Sequence, residues 1–452
     1  MQTAALLNVC SAQNPWSMEV QFSDPIVMLV LNGILCMDTF FTMSAFISFF
    51  QINKLYREQW GAQMGVLRVL QLFLYRFLRF APIVYIVFFF GVYVMPQLHG
   101  GKTDSAGNPI WPAFEEILFF ECLEPKTIAT KLFLVSNLLP WNQSDKSGCM
   151  QWTWTLECDM QLFLLVPFFV HLYNNSSKTF AKFMAFVLVL LGTLISFAVA
   201  HKNNLTAGIL TMDNNTLYDH FLSKPHCKLH VFALGILCAM FFEDIKEYQF
   251  RMRVNRQLER GPHEKQAIID DFPVVDYLQK DQFRSRSRGL LQKLAPTLGL
   301  LLAFLLIYES LFVDFPRQMD PFGWTRSQNA WYYALSRIAW ATAFCIFFFH
   351  MVLGHNPIMF VGCRSNPTNF MGEMIWSNYL LCPLIYMNMY CTTPEAIYMT
   401  MLGNVILGMG SMTFTIIISV IFMLFIQYPV ESIVKQLSRP MVVPRSKRES
   451  PK

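Results

Sequence analysis

Residues 153–167 read Thr-Trp-Thr-Leu-Glu-Cys-Asp-Met-Gln-Leu-Phe-Leu-Leu-Val-Pro, and they open a long apolar run. Two carboxylates, Glu157 and Asp159, stand among residues that otherwise belong in lipid or packed protein. An ionised carboxylate without a partner is costly there, so an acid inside a membrane segment marks a candidate site. The alternative for each is a position near enough to the interface to be solvated. Asp159, a helical turn in from Trp154 and Thr155, is the deeper of the two.

Composition places this stretch in a membrane protein. Of 452 residues, 54% are hydrophobic and 14% charged, with 43 Phe. A soluble protein carries roughly 25% charged residues. The apolar residues cluster into runs near the ~20 residues that span a bilayer. Nine such segments are read at about 26–50, 77–98, 151–172, 181–200, 226–242, 293–313, 330–353, 369–390 and 400–427. The predicted fold is therefore all-α, a polytopic integral membrane helical bundle of about nine transmembrane helices. Pro167, Pro225, Pro296 and Pro383 lie near or inside segments and are expected to kink them.

Lys and Arg placement sets the orientation. With the N-terminus outside, 25 basic residues fall on the cytoplasmic side and nine outside, and Arg337 lies within the membrane. This bias supports a short non-cytoplasmic segment 1–25, a transmembrane domain 26–427 and a basic cytoplasmic tail 428–452. Within the domain, 99–150 is the outside loop and 243–293 the cytoplasmic one. Sequons at Asn142, Asn204 and Asn214 all fall outside and are expected to be glycosylated. Cys122 and Cys149 share the outside loop, where a disulfide would be stable. The +5 net charge follows topology and points to no nucleic-acid partner. The cysteines show no spacing that suggests zinc or another metal. Plasma membrane and endoplasmic reticulum both fit; the oligomeric state is not legible.

The opening stretch resembles the Thr-Trp-Ser-Leu-x-Val-Glu-x-Gln-Phe-Tyr-Leu-Leu-x-Pro signature of the multi-pass acyltransferase type three family. It is closer to Trp-Thr-Trp-Tyr-Leu-x-x-Asp-Met-Gln-Phe-Tyr of the animal, nose-resistant-to-fluoxetine-like branch, with Asp159 on the family's acid. Six further stretches match in order. Asp38-Thr-Phe-Phe-Thr-Met-Ser44 resembles Val-Asp-Thr-Phe-Phe-Phe-Leu-Ser-Gly, and Tyr75 to Pro82 resembles Arg-x-x-Arg-Leu-x-Pro. Cys122 with Cys149-Met-Gln-Trp152 resembles the branch's outside-loop cysteines. Lys224-Pro-His-Cys-Lys-Leu-His230 is similar to Lys-Pro-Tyr-Cys-Arg-Ile-Gly. Arg337 to Trp340 resembles Arg-x-x-Trp, and Gly372 to Pro383 resembles Gly-x-x-Ser-Tyr-Ser-x-Tyr-Leu-x-His-Pro.

The resemblance implies transfer of an acyl group from a cytoplasmic thioester, with acyl-CoA as co-substrate, to a lipid or sugar acceptor. No cofactor is expected to stay bound. Arg76 and Arg79, three apart, would hold the donor's phosphates with forked hydrogen bonds; plain positive-inside anchoring is the alternative. Asp38 and Asp159 would orient groups at the catalytic site, and Asp38 would pair with one of these arginines or with Arg337. Trp154, Arg337 and Glu373 would build the polar core. Two histidines of the family pattern are expected to be missing. One belongs to a first helix preceding the Asp38 motif, and the other is replaced by Cys382. These losses support a rival reading, a non-catalytic membrane protein that binds or transports lipophilic molecules.

Overall fold

The computed structural model describes residues 29, 32–57, 65–95, 122–139, 149–207, 214–258, 290–316, 323–353, 362, 365–391 and 400–442. Among them every regular element is helical. The principal helices are α1 Leu35–Leu55, α2 Val66–Phe89, α3 Pro125–Leu132, α4 Trp154–Leu162, α5 Leu165–Asn175, α6 Lys178–Lys202 and α7 Leu229–Leu258. There follow α8 Leu290–Phe312, α9 Arg326–Val352, α10 Asn366–Cys391, α11 Met401–Phe422 and α12 Tyr428–Val442.

Seven helical runs, not nine, are both long and apolar enough to cross a membrane among the described residues. The two expected spans that fall short are helices nonetheless. The described apolar part of α8 is Pro296–Phe312, and α10 is diluted by Asn366, Thr368, Asn369, Glu373, Ser377 and Asn378. Two boundaries move further than the rest. The second span begins at Val66 rather than near 77, because Val66, Leu67, Leu70 and Leu74 give the basic stretch an exposed apolar face. α7 runs to Leu258, well into the segment read as a cytoplasmic loop. α12 likewise turns the start of the expected tail into helix.

Two apolar clusters fill the bundle. One packs α1, α5, α6, α7 and α9 around Phe41, Phe49, Tyr173, Phe221 and Phe232. The other packs α2 and α10 against the disulfide-bearing loop around Ile83, Val84, Met150 and Leu380. Helix α4 contributes to both, with Trp154 and Cys158 to the first and Leu156 and Met160 to the second. Successive residues on a short helix face different sides. The acids of α4 therefore lie between the clusters.

Candidate functional site

The local sequence explains why α4 is short. Pro167 lacks an N–H, and its ring would clash with the carbonyl of residue 163 in a continuous helix. The chain tightens instead, with Leu164 N donating to Gln161 O at 3.4 Å and Val166 N to Phe163 O at 3.0 Å. α5 then restarts at Leu165. The kink leaves Asp159 in the last turn of α4, turned toward α1 and α2.

Asp159 is fully buried. Its Oδ2 takes Arg76 Nη2 at 2.5 Å and its Oδ1 takes Ser44 Oγ at 2.5 Å. Arg76 Nη2 also donates to Ser44 Oγ at 2.6 Å, and Nη1 donates to Ser48 Oγ at 2.7 Å. The guanidinium carbon stands 4.5 Å from the Phe163 ring centroid. Three helices are thus joined by one ion pair and two hydroxyls. The Nε of Arg76 is buried without an acceptor.

Asp38 anchors a second centre, also fully buried. Its Oδ1 accepts from Lys228 Nζ at 3.0 Å and its Oδ2 from Arg337 Nη1 at 2.7 Å. This joins α1, the turn before α7, and α9. Of the partners foreseen for Asp38, Arg337 is the one found; Lys228 is an addition. α1 and α7 approach closely because residue 235 is Gly: a Cβ there would overlap the Thr42 carbonyl. Trp154 borders this centre, with Lys228 Nζ 5.4 Å from its ring centroid and the Phe41 ring at 6.0 Å. Trp340 Nε1 donates to Thr39 Oγ at 2.8 Å and fixes α9 beside the Asp38 carboxylate.

Glu157 makes a third centre. It is fully buried and accepts from Lys131 Nζ at 3.0 Å, Asn137 N at 2.7 Å, Ser136 Oγ at 2.8 Å and Thr153 Oγ at 3.2 Å. These donors come from α3, the turn after it and the turn before α4. They hold the chain at Leu134 and Met150, both non-glycine residues in the left-handed region, where backbone strain must be over-determined by surrounding contacts. Lys224 extends the clasp by donating to Asn137 O at 2.7 Å. Burial pushes its ammonium below the ordinary lysine value.

Several expected site residues sit elsewhere. Arg76 and Arg79 have different surroundings. Arg79 is exposed, 5.6 Å from the Phe80 ring centroid, while both terminal nitrogens of Arg76 are already engaged. Three positions along a helix leave a net offset of about 60°, so the two share a face, and within it Arg76 reaches Asp159 while Arg79 stays exposed. Both lie 10 or more residues into α2. Glu373 is exposed and accepts from Tyr428, so it does not belong to the polar core. Trp154 and Arg337 are buried and do.

Cys122 and Cys149 are joined by a disulfide. Asn204 is exposed with φ 52°, a conformation that Asn tolerates. Asn142 and the side chain of Asn214 lie outside the described residues, as do Arg284, Arg286 and Arg288 of the 243–293 segment. Sequence reading missed Ser44, Ser48, Lys131, Ser136 and Asn137. It quoted Lys228 without giving it a role, although a Lys at the start of an apolar helix demands a counter-ion.

The model of one known family, an acyltransferase domain designated acyltransferase 3, matches residues 6–428. Among curated proteins and solved structures, nothing matches the chain.

Proposed function

The chain belongs to the acyltransferase 3 family and is an acyltransferase-like membrane protein; from that premise we propose that it moves an acyl group from a cytoplasmic acyl-CoA to a hydroxyl of a lipid or carbohydrate. The observation that carries this reading is the pair of buried centres around Asp38 and Asp159 within the apolar bundle. Burying this much charge is costly unless function requires it, since apolar packing of the same volume is often as stable.

In this reading Asp159 holds Arg76 in place, and Asp38 holds Lys228 and Arg337. Fixed cations of this kind stabilise negative charge that develops on an acyl oxygen. Arg79, exposed on the same helix, is the residue free to meet the donor's phosphates. The disulfide and the Asp-Met-Gln stretch support membership of the nose-resistant-to-fluoxetine-like branch. A second reading, a non-catalytic binder of lipophilic molecules, is favoured by one observation: Asp38, Glu157 and Asp159 are each already matched by a cation in the closed bundle.

Binding of a labelled, non-hydrolysable acyl-CoA to the purified protein tests the donor assignment. Arg79→Lys keeps the charge and loses the forked geometry, so affinity should fall by roughly 1.5–3 kcal/mol, about 10- to 100-fold. Arg76→Lys should weaken the Asp159 pairing instead and act mainly on stability. Equal binding by wild type and Arg79→Lys would leave Arg79 as an anchor. No binding by the wild type would favour the non-catalytic reading.

A further inference from the structure

The proposed transfer needs a base to take the acceptor's proton, and neither Asp38 nor Asp159 is available while paired with cations. His230 is the second residue of α7 and is fully buried. Its ring lies against α6, where Gly192 makes room: a Cβ at 192 would come within 2.6 Å of the His230 backbone nitrogen. His230 Nδ1 is 3.3 Å from Ser196 Oγ, which is itself 3.2 Å from the Cys227 carbonyl. That carbonyl can only accept, so the Ser196 hydroxyl donates to it and accepts from Nδ1–H. The tautomer is thereby fixed, and Nε2 carries the bare lone pair.

Nε2 has no hydrogen-bond partner among the described residues. Buried polar atoms are nearly always satisfied, so an orphan of this kind calls for an explanation. The charged groups acting on the ring are Asp38 from α1, Lys228 from the turn before α7, and Arg337 from α9. Arg337 also keeps an Nε–H that is buried and without an acceptor. A basic nitrogen and an unused cationic donor therefore belong to one centre. The resembled pattern has Gly where this chain has His230, so the ring is not part of that shared motif.

We propose that His230 Nε2 is the general base that takes the proton from the acceptor hydroxyl in the acyl transfer. This rests on the acyl-transfer reading above. The acceptor oxygen forms a bond to the acyl carbon as its proton passes to Nε2. The carbon–sulfur bond of the thioester then breaks, and Nε2–H returns the proton to the departing thiolate. Lys228 and Arg337 offset the negative charge on the reacting oxygen. The ring is enclosed, so α1, α7 and α9 must part to admit the acceptor, a gating movement of the kind that sets turnover in many enzymes.

The test uses the full chain in phospholipid nanodiscs, with short- and long-chain acyl-CoAs as donors and lipid or water as acceptor. Thiol release is followed from pH 5 to 9, and donor binding is measured with a thioether analogue of acyl-CoA. His230→Gln should lower thiol release at least about 100-fold, the low end for a general base, while thioether binding changes less than about twofold. Added imidazole should restore part of the rate of His230→Gly. His171→Gln, an exposed histidine at the other end of the bundle, should behave as wild type. Nitrogen NMR of labelled histidine should report His230 in the Nδ1–H form.

Release by His230→Gln within about threefold of wild type would overturn the base and leave the acyl-transfer reading standing. Donor binding without thiol release by the wild type would also overturn it. Neither binding nor release would remove both.

Discussion

Glu157 and Asp159 stand two residues apart on one short helix, yet they hold different kinds of structure. Positions i and i+2 point to opposite sides of a helix. Glu157 faces the disulfide-bearing loop and is enclosed by an ammonium, a main-chain N–H and two hydroxyls. Asp159 faces the bundle and has one guanidinium and one hydroxyl. Its cation is still 15% exposed and keeps an Nε–H with no acceptor. A carboxylate with every lone pair taken is a fastener. One that shares its cation with an incompletely satisfied surrounding is where a substrate oxygen has something to gain. Burial does not separate the two, since both are fully buried.

The largest effect should come from the fastener. Glu157→Gln leaves Lys131 buried without its anion and removes an acceptor from Ser136 and Asn137. Losing one partner of a buried ion pair costs about 3–5 kcal/mol. The variant should therefore accumulate poorly and melt much earlier in detergent by tryptophan fluorescence. A melting point close to wild type would mean that the loop holds itself without the clasp.

Asp159→Asn should cost less, about 1.5–3 kcal/mol, the worth of hydrogen bonds to a charged group. The amide oxygen still accepts from Ser44 or Arg76, and partial exposure lets solvent reach Arg76. The contrast between the two acids would be broken if Asp159→Asn melted below Glu157→Gln. It would be sharpened if Asp159→Asn folded normally and lost donor turnover.

How much of this was legible beforehand follows from what each kind of residue signals. The helical bundle was written in apolar runs. Asp38 and Asp159 stood out because a charge in an apolar run demands a partner, and Arg337 for the same reason. The partners of Glu157 gave no such signal. Lys131, Ser136 and Asn137 lie in a loop where Lys, Ser and Asn are ordinary, and only the fold carries them under the membrane acid. Arg79 misled because three-residue spacing reads as one face. One face still divides its side chains: Arg76 meets Asp159 across the bundle, while Arg79, about 60° round the helix, stays exposed. Glu373 misled because a motif match fixes position along the chain, not which way a helix presents that position.

A third kind of acid extends the comparison. Asp314 closes the turn after α8 and is buried, but its hydrogen-bond partners are the neutral Asn32 amide at 3.1 Å and the Tyr332 hydroxyl. Burial raises its carboxyl to about 6. The folded state therefore binds the proton more tightly than the unfolded chain. The stability this contributes is fully present below about pH 4, the unfolded value, and is lost as pH rises through about 6. Between these limits the wild type should lose up to about 2–3 kcal/mol from this group, at 1.36 kcal/mol per pK unit. Asp314→Asn should abolish that slope and be the more stable protein at pH 7. Parallel pH–stability curves for the two proteins would show that the carboxylate has found a cation.

The smallest effect is expected at Glu373. Its carboxylate accepts a hydrogen bond from Tyr428 across the α10–α12 contact, but the side chain is exposed. Exposed pairs contribute little because solvent replaces what is lost. Glu373→Gln preserves an acceptor for Tyr428 and removes a charge that has no buried counter-ion to strand. Its melting temperature should match wild type, with a stability change below about 0.5 kcal/mol. Arg337 gives the opposite case within the same expected set. It is buried against Asp38, so Arg337→Gln should be damaging by the same argument as Glu157→Gln. If Glu373→Gln proved as costly as Asp159→Asn, Glu373 would have to face inward, and α10 would have to be turned about its axis relative to α12.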